Sequence, residues 1–110
     1  MTKARQQFDQ GHLAVVVVEV RRETKALPII EQTYSVGAVC LALLNAALAS
    51  GWGANWLSGF AAHNRPFVKE AFGLADHETV AGIIHIATET NTPPERPRPD
   101  LESMTTWLST

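Results

Sequence analysis

Residues 35–60 read SVGAVCLALLNAALASGWGANWLSGF, and the reading of this stretch decides the fold. None of these residues is charged. Leu41, Leu44 and Leu48 recur at helical spacing along one stripe, and Ala38, Ala42, Ala46 and Ala49 along another. With Pro28 suited to a first turn and Glu31 to the positive end of the helix dipole, the pattern predicts a helix from about residue 29 to Ser50. Gly51 is its stop. The second half is apolar nearly all round, so it is expected to be wrapped by protein on every side. The alanine stripe would admit a second helix closely, either from the same chain or from a second copy. Beyond the stop, Trp52, Trp56 and Phe60 sit among Gly51, Gly53 and Gly59. Turns are usually polar, so this bend has more to do than reverse the chain.

The uncharged run from 36 to 49 is the one membrane candidate. It is about 14 residues, against the roughly 20 that span a bilayer, and Asn45 interrupts it, so a buried helix is expected. The N-terminus, MTKARQQFDQ, lacks the apolar core of a secretion signal. At 110 residues one domain at most is expected. A net charge of −2 gives no cause to expect nucleic acid or an anionic membrane as partner. The single cysteine, Cys40, lies among Val39, Leu41 and Ala42 and reads as a small buried hydrophobe; a free thiol fits the cytoplasm.

Outward from the helix, LAVVVVEV (13–20) is a strand whose unbroken apolar run predicts burial on both faces, as in a central strand. KARQQFDQ (3–10) reads as the end of a helix stopped by Gly11. ANWLSGF is a short extended piece, and RPFVKEAF (65–72) a short helix with Asn64 as N-cap, Pro66 in its first turn and Gly73 as its end. TVAGIIHIAT (79–88) is a second buried strand, in which Gly82 predicts a bulge or the close approach of another backbone. TNTPPERPRPD is a proline-rich extended arm, followed by an amphipathic tail, LESMTTWLST. The fold class is α+β or α/β. Two strands make a poor sheet, and each is apolar enough to need more neighbours than the chain supplies, so the chain reads as a single partial domain of a larger fold.

Chemistry of its own is scarce. His12, His63, His77 and His85 have no ligand spacing, and no metal site is expected. His85, inside an apolar strand, reads as a hydrogen-bonded core or interface group. No nucleophile elbow, P-loop or dinucleotide fingerprint occurs. An enzyme built this way would borrow its chemistry from a cofactor. Glycines admit a flat ring close to backbone, and tryptophan and leucine wall it in; the plain alternative is that Trp52 and Trp56 are core residues beside a helix cap. Arg96 and Arg98, in RPRP, both reach one phosphate if the arm is extended. The alternatives are a solvated tail or a polyproline ligand for an aromatic groove.

These residues resemble the C-terminal part of an FMN-dependent nitroreductase. KARQQF before a valine strand is similar to the junction that opens the family's second half. The 27–60 stretch, LPIIEQTYSVGAVCLALLNAALASGWGANWLSGF, resembles its long dimer-interface helix and following loop, and FGL, VAGIIHIAT and RPRPDL its closing elements. The resemblance implies an α+β, α-β-α sandwich, incomplete here, with the long central helix at a homodimer interface. It implies FMN as cofactor, NAD(P)H as electron donor and a nitroaromatic or quinone-like small-molecule acceptor, in a cytoplasmic enzyme. Trp56, Leu57 and Ser58 fall where the family's loop meets the flavin. Ala46, Ala47, Leu48, Ala49, Ser50 and Gly51 fall at the helix end used near the nicotinamide. Arg96 and Arg98 fall on the FMN phosphate. Leu57 stands where many relatives have a polar side chain, which leaves a backbone contact there. The family's N-terminal region, with its arginine-rich phosphate motif, has no counterpart, so the chain alone is expected to bind FMN weakly or not at all. The other reading is an inactive, dimerising scaffold without flavin.

Overall fold

Glu78–Ala87 (β3) lies at the centre of the sheet. The computed structural model describes residues 7–9 and 11–109. Among these the sheet has three antiparallel strands, with Leu13–Val20 (β1) on one side of β3 and Gly53–Leu57 (β2) on the other. The register steps between Val17, opposite Gly82, and Val18, opposite Val80, so Ala81 is an extra residue: a bulge beside Gly82, as expected. The closest approach to Gly82 is made by the Trp56 side chain and not by another backbone.

Side-chain alternation then sorts the sheet into two faces. Val15, Ile84 and Trp56 share a face with Gly82, and this face carries the long helix Ile29–Ala49 (α1), whose Cys40 sulfur would stand 3.1 Å from a β-carbon on Gly82. Val16, Ile83 and Leu57 point the other way. There Phe60–His63 (α2) and Arg65–Phe72 (α3) close the second layer, and Ala61, Ala62, Val68, Val80 and Ile83 form a buried core flanked by Phe67, Phe72 and Leu74. The result is an α-β-α sandwich.

Local signals explain most element ends. The Asn64 side chain accepts a hydrogen bond from the Phe67 amide at 2.9 Å, Pro66 sits in the first turn of α3, and Gly73 ends it in the left-handed conformation. At the base of α1, the Gln32 amide nitrogen donates to the Arg22 and Leu27 carbonyls, and its oxygen accepts from the Arg22 amide. This binds the charged linker to the helix. Glu19, 6% exposed, accepts from the hydroxyls of Thr33 (2.6 Å) and Thr79 (3.3 Å) and faces the Arg21 guanidinium at 3.7 Å. A buried carboxylate needs such partners, and these join β1, α1 and β3 at one point.

Four expectations change. ANWLSGF supplies a true strand, β2, where an extended piece was expected. β1 is an edge strand among the described residues, and most of its side chains are half-buried. α1 is not enclosed within this chain: Cys40 and Ala47 are buried, while Val39, Leu41 and Leu48 are about half exposed. The sheet covers one stripe of a helix that is apolar around its whole girth. Finally, α1 is 21 residues, long and apolar enough to cross a membrane; the uncharged run left out its first turns, including Glu31. Here it lies along the sheet.

Residues 7–9 are helical, as expected, and the rest of the 3–10 stretch lies outside the described residues apart from these. The radius of gyration is 17.0 Å, against about 13 Å for a compact chain of this length. The arm after β3 is exposed along residues 88–109. Its short helix Leu101–Met104 (α4) and the following Trp107 and Leu108 are 70–95% exposed.

Candidate functional site

The bend at residues 50–53 is a Schellman motif. Gly51, at φ +92°, sends its amide to the Leu48 carbonyl at 3.1 Å, and the Trp52 amide reaches back to the Ala47 carbonyl at 3.1 Å. Ser50 adds a hydroxyl bond to the Ala46 carbonyl at 2.8 Å. The left-handed turn requires Gly51, and it swings Trp52 under the helix end. There Trp52 lines a cavity of about 750 Å³ with Leu43, Ala46, Ala47, Ser50, Leu13 and Ile86; His12, Thr88 and Thr90 form its polar rim.

The next glycine routes the arm. A β-carbon on Gly53 would stand 3.2 Å from the Ala87 oxygen and 3.3 Å from the Glu89 Cα, so the chain leaving β3 passes directly over the start of β2. That passage carries the proline-rich arm back along a second groove, also of about 750 Å³. Its walls are Leu44, Leu48 and Trp56, and its far side is Pro93, Pro94, Arg96 and Arg98. His12, Asn55, His85, Glu89 and Glu95 are its remaining polar side chains of note. Trp56 is 37% exposed: one edge of its indole rests on the sheet at Gly82, and the ring also faces the groove. The bend is therefore partly filled by its own side chain, with room left beside it.

The expected site residues divide. Leu48, Trp56, Arg96 and Arg98 meet in the arm groove, 50 residues of sequence notwithstanding. Ala46, Ala47 and Ser50 line the cavity under the helix tip. Ala49, Gly51, Leu57 and Ser58 line neither of the two. Leu57 is paired with Ile83 and turns its side chain toward the opposite core, which leaves its backbone alone for a ligand. Sequence reasoning missed Asn55, His12 and Glu95. The last had a signal: Glu95 and Arg98 are three apart, the repeat of a polyproline helix, and the Arg98 Nε donates to Glu95 Oε1 at 2.6 Å.

His85 behaves as a hydrogen-bonded group. Its Nε2 is 2.9 Å from Gln7 Oε1, its ring is 5.9 Å from that of Phe8, and burial holds its pKa below the ordinary value. The arm groove sets an aromatic ring and two leucines beside two guanidiniums and the carboxylates of Glu89 and Glu95, so a flat apolar body and an anionic group are the ligand features it could meet.

The Nitroreductase family profile matches residues 1–88. The Escherichia coli K12 protein named "Putative NAD(P)H nitroreductase YdjA" is 35% identical over 86 residues, covering 78% of this chain and 46% of the relative. The protein of the same name from Escherichia coli O157:H7 gives the same figures. A crystal structure of a nitroreductase-like family protein from Bacillus cereus superposes with a TM-score of 0.79 at 20% identity, over 96% of this chain and 56% of that one, a likeness of fold. The chain thus spans about half the length of the curated relatives it matches. Since the family match runs from the first residue through the whole of β3, the chain belongs to the nitroreductase family.

Proposed function

We propose that the chain furnishes one wall and the phosphate arm of an FMN site in an oxidoreductase that passes electrons from NAD(P)H to a nitroaromatic or quinone-like acceptor. The observation that carries this reading is the convergence of Trp56, Leu48, Arg96 and Arg98 on one groove. Electron transfer is the chemistry that bound FMN supplies. The chain's own residues bind and orient. Trp56 and Leu48 exclude water from one side of a flat ring. Arg96 and Arg98 hold a phosphate dianion with charge-assisted hydrogen bonds. The backbone at Leu57 and Ser58 is left to meet the ring edge. The Ala46–Gly51 tip, with its apolar cavity, is the seat for nicotinamide or acceptor.

Two copies are the natural unit for such a site. The uncovered face of α1, with Val39, Leu41 and Leu48, and the bare tail, with Leu101, Met104, Trp107 and Leu108, are the surfaces a homodimer would bury. The same α1 surface argues for a protein neighbour and against a membrane, because its opposite stripe already rests on the sheet.

The test is a titration of the purified chain with FMN up to millimolar concentration, read by flavin fluorescence and by NMR of the Trp56 indole and Arg98 Nε–H signals. Saturable binding weaker than micromolar is expected, since the chain spans about half the length of its curated relatives. Silence at both signals, in a chain that still dimerises, would replace this reading with that of a flavin-free scaffold.

A further inference from the structure

The two arginines of the arm are not equivalent. Prolines at 93, 94, 97 and 99 bias the backbone toward the polyproline conformation, with three residues per turn. That repeat stacks Glu95 beneath Arg98 and turns Arg96 a third of a turn away. The side chains follow it: Arg98 Nε donates to Glu95 Oε1 at 2.6 Å, and among the described residues Arg96 makes no ion pair. Nε belongs to the guanidinium edge that grips an oxyanion with two parallel bonds. In this structure that edge is already taken by a carboxylate, inside the groove assigned above to a phosphate.

We infer that Glu95 is a built-in competitor of the phosphate: it holds Arg98 until the anion arrives and must let go for the anion to be gripped, while Arg96 is the standing anchor. The inference rests on the FMN reading of the groove. The pair is no structural staple. Both side chains are more than 70% exposed, so its loss leaves the fold intact. Competition of this kind lowers the apparent affinity in proportion to the fraction of Arg98 that is free. An exposed pair of 0–1 kcal/mol corresponds to an effect of up to about fivefold. A ligand without a phosphomonoester feels none of it.

The experiment compares FMN with riboflavin, which lacks the phosphate, on the full chain and on Glu95→Gln, by NMR titration. Glu95→Gln is expected to bind FMN about three- to fivefold more tightly and riboflavin as before. The gain should persist beside Arg96→Gln and vanish beside Arg98→Gln. In the unsubstituted chain, FMN should move the Glu95 carboxylate and Arg98 Nε–H signals at one common affinity. Equal FMN affinities with and without Glu95 overturn the competitor and leave the flavin groove standing. An equal gain for riboflavin also overturns it, since that would be a loosened arm. No saturable FMN binding by any variant removes both the competitor and the flavin reading.

Discussion

The indole of Trp56 lies across Gly82, in the space that a β-carbon on residue 82 would claim, with the Cys40 sulfur closing the same gap from α1. These residues are 26 apart in sequence, and their contact makes the groove wall part of the core. Gly82→Ala should therefore cost about 1–3 kcal/mol through overpacking and shift Trp56 fluorescence. In a Trp56→Ala background most of that cost should disappear. Equal costs in both backgrounds, read from urea midpoints, would show that the ring does not lean there.

Glu19 ties three elements by one carboxylate. Glu19→Ala leaves the Thr33 and Thr79 hydroxyls without that acceptor and should destabilise by about 2 kcal/mol. Thr33→Val should cost less, about 1 kcal/mol, because Glu19 keeps Thr79 and Arg21. Denaturant unfolding of the two variants ranks them, and the reverse order would contradict the hub.

Burial depresses the pKa of His85 below its ordinary value of 6.5. The unfolded chain then binds the proton more readily than the folded one. The resulting stability is present above pH 6.5 and is lost as pH falls from there through the lower folded pKa. His85→Asn should flatten the fall in thermal midpoint between about pH 7 and pH 5. An unchanged slope would assign that loss to other groups.

The Cys40 thiol is fully buried, and burial raises its pKa above 9.0. Thiolate and access are both needed for reaction. Labelling by a disulfide reagent at pH 8 should proceed at the rate of opening, and should accelerate in urea in step with unfolding. Rapid stoichiometric labelling of the native chain would mean that α1 lifts readily from the sheet.

Leu41 and Leu48 lie half exposed on the uncovered side of α1. Leu41→Arg should change the stability of a single chain by less than about 0.5 kcal/mol, as surface substitutions do, yet abolish the self-association proposed above, read by sedimentation. Leu48 also borders the groove, so Leu48→Arg should in addition weaken FMN binding. Association unaltered by Leu41→Arg would place the dimer surface elsewhere.

What was legible in the sequence was what is local. Asn64, Pro66 and Gly73 define α3 by bonds within a few residues, and Gly51 ends α1 the same way. β2 escaped because Gly53 and Asn55 are poor strand formers, and it exists through its pairing with Ile83–Ala87, some thirty residues on. The one-sided cover of α1 was hidden by its composition: a helix apolar all round does not say which stripe meets its own sheet. For the site, the resemblance brought Trp56, Arg96 and Arg98 together, as the groove does. The Glu95–Arg98 pair had a signal in its three-residue spacing, whereas the seat of Trp56 on Gly82 depends on how the sheet is laid, which spacing alone does not give.

The arm also has a bearing on how the protein survives its surroundings. Arg96 and Arg98 stand on an exposed strand of chain where trypsin-like proteases would ordinarily cut. Each is followed by proline, whose ring nitrogen has no hydrogen and whose ring crowds the bond to be attacked. The two cationic side chains thereby stand on a tether that such proteases leave whole.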